Sequence, residues 1–231
     1  MDLKKIIDKK DIAAQYMIDE ITHICRTMPK RDPGSEGEKI ACEYMAETLK
    51  NECGCERVEM ESFKENPGSF FGWIYITFTF VLSAVALFFI CPVISIPLIV
   101  AGFLLAIFQF GMYKKIVDWV FPEKTGHNVT AIKSCTGEVK RRILFNGHPD
   151  ACWEWPVNYR FGGVAFEMHA IICVLGAVYY LVLSIINIIT NGFTPEIDLD
   201  STLIKCALGG LVFVPFMIGL FWMVNYKRPV D

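Results

Sequence analysis

The chain has 231 residues, 53% of them hydrophobic, with a formal net charge of -3. This balance excludes a basic nucleic-acid binder and a charge-rich disordered chain. The nine cysteines include one close pair, Cys53-Gly54-Cys55, and their spacing matches neither a zinc finger nor a disulfide framework, which suits a reducing compartment.

Met1-Asp2-Leu3-Lys4-Lys5 runs into an amphipathic stretch with no adjacent apolar region, so the first apolar span is expected to act as the membrane address. Ile12 to Thr27 places Ile12, Tyr16 and Ile24 at helical spacing, and the breaker-rich loop Pro29 to Gly37 ends that helix. Ser35-Glu36-Gly37-Glu38 is a capping-box pattern that opens a second helix with Ala41, Tyr44, Met45 and Leu49 on one face. Glu56 to Phe63 alternates as a half-buried strand does.

The first apolar block, Ser69 to Tyr113, contains two membrane-length runs, Phe70 to Ile90 and about Ile94 to Tyr113, broken by Pro92 and Pro97. Two further strands are expected at His127 to Lys133 and Arg141 to Gly147, joined by Ser134 to Glu138. The second apolar block gives Val164 to Thr190 and Leu203 to Val224, linked by Asn191 to Asp200. Four spans in two hairpins result, and a lipid bilayer is the expected partner. The organisation is N-terminal helices and a first strand over 1–68, a hairpin over 69–113, strands over 114–163, a second hairpin over 164–224, and 225–231 as the start of a missing remainder.

Lys64, Lys114, Lys115, Lys124, Arg160, Lys227 and Arg228 fall on the side of the polar segments, and Glu196, Asp198 and Asp200 on the other, so the polar segments are expected to be cytoplasmic. There the sequon Asn128-Val129-Thr130 would stay unused. Trp73, Trp119, Trp155 and Trp222 read as interfacial anchors, and Gln109 and Asn187 as helix-packing contacts.

The chemistry concentrates in Arg141-Arg142-Ile143-Leu144-Phe145-Asn146-Gly147-His148-Pro149-Asp150. On an extended segment, residues i and i+2 point the same way, and Pro149 biases His148 toward the β region. Asp150 can then receive the ring N–H of His148, which prepares the imidazole as a zinc ligand. A strand running into an ordinary His-Pro-Asp turn that binds nothing is the competing reading.

Arg31-Asp32-Pro33-Gly34-Ser35-Glu36-Gly37-Glu38, then Ala41, Tyr44 and Leu49, then Glu59 to Phe63, His127-Asn128-Val129 and Ile143 to Asp150, in that order, resemble the opening of metallopeptidase family twenty-eight. The resemblance runs from about Arg26 to Ala151. It implies an α/β zinc-exopeptidase-like domain, here incomplete (helices plus the start of a mixed sheet), combined with four transmembrane helices. It also implies peptide as substrate and two zinc ions that polarise the scissile carbonyl and activate a bridging water. His148 would be a zinc ligand and Asp150 the catalytic carboxylate that steadies it.

Pro149, Ala151 and the membrane hairpins depart from the family pattern. The bridging Asp, the Glu pair, a further acidic ligand and a final His have no counterparts up to Asp231, so the chain reads as the front part of a longer enzyme and is expected to be inactive alone. A non-catalytic membrane protein that keeps a degenerate peptidase domain for binding or assembly is the alternative. A transporter is disfavoured by the scarcity of ionisable residues inside the spans.

Overall fold

The computed structural model describes residues 7–193 and 201–230. The acidic turn Glu196, Asp198 and Asp200, the first residues Met1 to Lys5 and the terminal Asp231 lie outside the described residues. The chain divides into two units, one taking the chain up to Glu65 with Glu123–Trp153, the other Asn66–Pro122 with Glu154–Arg228.

The first unit is built from helices α1 (Lys10–Thr27) and α2 (Glu36–Asn51) and strands β1 (Arg57–Glu65) and β2 (Lys124–Ile132). Ser35 caps α2 as its sequence requires, its Oγ accepting the Glu38 amide at 3.2 Å. Gly34, in the turn, sits at φ +67, and a Cβ on Gly37, in the first turn of α2, would lie 2.1 Å from the Lys30 carbonyl oxygen, so both glycines are fixed by geometry. Ala41 and Cys42 on the apolar face of α2 are fully buried. α1 buries none of its residues; its contacts to α2 are polar and aromatic, with Tyr16 donating to Glu52 at 2.9 Å, Tyr44 donating to Glu20 at 2.7 Å and the His23 ring 5.0 Å from that of Tyr44.

β1 and β2 pair antiparallel from Arg57↔Ile132 to Glu65↔Lys124. Glu65 and Lys124 bracket the whole first apolar block, so that block leaves and returns at neighbouring points of one ladder. The expected third strand does not form. Arg141 to Gly147 is irregular, because its main chain has no partner: among the described residues, 138–148 make no main-chain to main-chain hydrogen bond.

The second unit holds the apolar helices. α3 (Ser69–Phe88) and α4 (Pro92–Ala106, extended by a π turn over Ile107–Gly111) form the first hairpin. Ser95 Oγ donates to the Ala84 carbonyl at 2.6 Å, and Thr77 Oγ1 to that of Gly102 at 3.4 Å, which satisfies hydroxyls buried between apolar helices. Gln109 does not pack helix on helix as expected; its amide donates to Asp118 at 2.7 Å and accepts the Val117 amide at 3.1 Å, closing the turn that follows.

After the short strand β3 (Cys152–Glu154) and helix α5 (Pro156–Phe161), α6 (Gly163–Asn191) forms the third long helix. The fourth is α7 (Thr202–Gly210) and α8 (Val214–Gly219) joined and followed by 3-10 turns, with β4 (Asn225–Val230) beyond. Pro215, which lacks an N–H, stands at the start of α8 where that loss is tolerated. The Tyr179 and Tyr180 hydroxyls of α6 donate to the carbonyls of Cys206 and Ala207, each at 2.8 Å. Four helices, Ser69–Phe88, Pro92–Gly111, Gly163–Asn191 and Thr202–Trp222, are long and apolar enough to cross a membrane.

Candidate metal-ligand site

His148 and Asp150 stand as their spacing predicts. The His148 ring donates from Nδ1 to the Asp150 carbonyl at 2.9 Å and to its carboxylate at 3.2 Å. This hydrogen bond leaves Nε2 with its lone pair and, among the described residues, without a protein partner. The His148 side chain is 81% exposed, whereas that of Asp150 is 33% exposed, so the carboxylate is anchored and the imidazole projects from it.

The anchor comes from the distant Arg31 loop. The Arg31 guanidinium donates to the Pro149 carbonyl at 3.1 Å, and the Arg31 carbonyl accepts the Ala151 amide at 2.8 Å. Arg31 to Glu38 and His148 to Ala151, the two most distinctive motifs of the sequence, therefore meet in space.

A cavity of about 430 Å³ opens beside the pair, lined among others by Glu38, Glu65, His127, Asn128, His148 and Asp150. Glu38 is 3% exposed and spends both oxygens on main-chain amides, those of His127 at 2.8 Å and of Gly34. Glu65 is raised above the usual glutamate range, first by burial and then by the negative charges of Glu38 and Asp150, with Lys124 opposing. Burial pushes the Cys42 thiol up to about 11, and Glu38 and Asp150 add to the shift. The His127 ring contributes a buried Nδ1 that has no partner among the described residues.

Sequence reasoning left three of these groups outside the site. Glu38 was legible as half of a capping box and His127 as the start of a strand, each also within a motif of the family resemblance but without a site role; His127 lies inside β2, and Glu65 lies beyond the strand expected at Glu56 to Phe63. Glu154, with its two flanking tryptophans, is a structural residue: its carboxylate takes the Asn225 side-chain amide at 2.9 Å and lies 3.9 Å from Arg228.

As a metal centre the donor set is partial. His148 supplies one oriented imidazole, but no group of three or more His, Cys, Asp or Glu side chains among the described residues is arranged to hold a metal ion. A catalytic zinc needs three protein ligands, so these residues fit one ligand position and its orienting carboxylate, not a complete centre. No family model, curated protein or solved structure matches the chain.

Proposed function

We propose that this chain is a membrane-bound carrier of part of a zinc exopeptidase centre. His148 Nε2 offers one metal ligand, Asp150 fixes the ring, and the remaining donors are supplied by other polypeptide. The observation that supports this reading is the His148–Asp150 hydrogen bond at the edge of a cavity rich in carboxylates and imidazoles. The substrate class is peptide, and the chain alone does not hydrolyse it, because one imidazole holds zinc only weakly and does not form the three-ligand environment of a catalytic zinc.

In the same reading the four apolar helices cross the lipid bilayer as two hairpins, with the polar segments on the cytoplasmic side by the bias of Lys and Arg. The second reading, a non-catalytic binding or assembly module, is favoured by the absence of a three-donor group among the described residues.

Zinc uptake by the detergent-purified chain, followed by equilibrium dialysis and elemental analysis, separates the two. Uptake that disappears in His148→Ala and weakens about 10–100-fold in Asp150→Asn supports the ligand roles. Uptake unchanged in His148→Ala, or absent at millimolar zinc, leaves only the non-catalytic module.

A further inference from the structure

Beside β2 lies a second opening, of about 590 Å³, within the range of roughly 300–1,000 Å³ usual for ligand sites. Its lining is informative. It includes the four consecutive strand residues Asn128–Ala131 and the six consecutive residues Leu144–Pro149, with Cys42, Met45 and Leu49 of α2 and Glu61 of β1 completing it. Side chains of successive strand residues point to opposite faces, so an opening that touches all four runs along the edge of the strand and not over one face.

The other edge of β2 is taken by β1. In an antiparallel pair only alternate residues turn their main-chain groups to the partner. The His127 amide bonds to Glu38 and its carbonyl accepts from the Cys42 thiol at 3.5 Å, so residue 127 faces away from β1. By the same alternation the amides and carbonyls of Val129 and Ala131 face the opening.

The facing wall is just as incomplete. Ile143, Leu144 and Phe145 are 74%, 91% and 90% exposed, and the main chain around them is unpaired among the described residues. An apolar, unpaired extended segment beside a free strand edge is a template for another strand. Lys140, Arg141 and Arg142 immediately precede it in the chain, outside the lining of the opening, and none has a charged partner among the described residues, so positive charge stands where the segment enters.

We infer that the opening is a receiving slot for one extended polypeptide strand, apolar on alternate residues and acidic where it meets Lys140–Arg142, pairing with β2 on one side and with Leu144–Gly147 on the other. This goes beyond the zinc reading and does not depend on it. A strand suits the slot better than a helix, because β2 and 144–147 offer main-chain donors and acceptors that a helix cannot answer, while Cys42, Met45 and Leu49 of α2 give alternate side chains an apolar wall. The inference also accounts for a segment with strand composition and no strand structure: it becomes regular when the middle strand arrives.

The test uses the whole chain in detergent micelles with a chelator present, so that bound zinc plays no part. The probe is a blocked synthetic peptide of alternating valine and threonine with a glutamate pair at each end. Amide hydrogen exchange at Val129, Ala131 and 143–147 is expected to slow at least tenfold on binding. Peptides N-methylated on either alternate set of amides should both fail, since both edges of the strand are used. A lysine-ended peptide should bind at least tenfold more weakly, and that gap should close in the Arg141→Glu, Arg142→Glu double variant. The inference is overturned if only one wall is protected, if 143–147 are already protected without peptide because they close on β2 directly, or if the same amides are protected by dimerisation of the chain.

Discussion

The main-chain amide of His127 donates to Glu38 Oε1 at 2.8 Å, and the other oxygen of that carboxylate takes the amide of Gly34. One buried side chain thus closes the turn before α2 and fixes the middle of β2, 89 residues away, at the wall of the cavity that His148 overlooks. Its place is set by sequence at one end only, by the capping box; the His127 end is long-range and depends on β2 returning to pair with β1.

Glu38→Ala should therefore cost more than a surface cap. Hydrogen bonds to charged groups are each worth about 1.5–3 kcal/mol, and the substitution strands two amides at once. We expect a loss of about 2–3 kcal/mol in chemical unfolding of the detergent-solubilised protein, together with faster amide exchange at His127. A loss within about 0.5 kcal/mol would show that water replaces the carboxylate without penalty.

Glu65 gives the cavity a pH signature. Its carboxyl is raised in the folded chain by burial and by Glu38 and Asp150, so the folded state binds its proton more readily than the unfolded state. Stability from this group then falls as pH rises from the ordinary glutamate value of about 4.3 through the raised value, and the penalty is complete above it. Glu65→Gln should unfold at a higher temperature than the parent at pH 7, with the gap narrowing toward pH 4. A gap that does not change with pH would mean that burial and the charges of Glu38 and Asp150 do not raise Glu65 in the folded chain.

Much of this was legible in the sequence, and what was not has a common cause. The capping box, the first two helices, the β1 and β2 segments and the four apolar runs are local patterns of period or composition, and the structure places each within a few residues of its expected bounds. The pairing of His148 with Asp150 is also local, an i, i+2 relationship. Arg31 on Pro149, Glu38 on His127 and the crowding of Glu65 by Asp150 join residues far apart in the chain, and no short window carries that information. The strand expected at Arg141 to Gly147 failed for the opposite reason: composition favours a strand, but a strand exists only with a partner edge.

Cys42 should be silent to thiol reagents. It is fully buried, and burial together with Glu38 and Asp150 pushes its thiol up to about 11, so at pH 8 its thiolate is on the order of one part in a thousand even where reagent can reach it. Cys53 and Cys135 are exposed. Mass spectrometry after brief maleimide treatment should find the label at these two and not at Cys42 until the protein is denatured. Rapid labelling of Cys42 would mean that the α2 face opens from β2 on that timescale.

Two adjacent glycines in the fourth apolar helix test whether its contact with the third is as close as the structure places it. A Cβ on Gly210 would lie 2.5 Å from Tyr179 Cε1 and 3.2 Å from the Tyr180 hydroxyl, the same hydroxyl that donates to the Ala207 carbonyl; a Cβ on Gly209 would meet nothing within 4 Å. Close approach through small residues is how apolar helices associate when burial from water drives nothing. Gly210→Ala should therefore force the tyrosines off their carbonyls and cost about 1–3 kcal/mol, the range for overpacking a tight contact. Gly209→Ala adds a methyl in open space to a helix interior and should be neutral or stabilising by up to about 1 kcal/mol. Thermal unfolding of both variants in the same detergent reads the difference directly. Equal effects would mean that α7 does not rest on α6 through Gly210, because helix propensity alone treats the two positions alike.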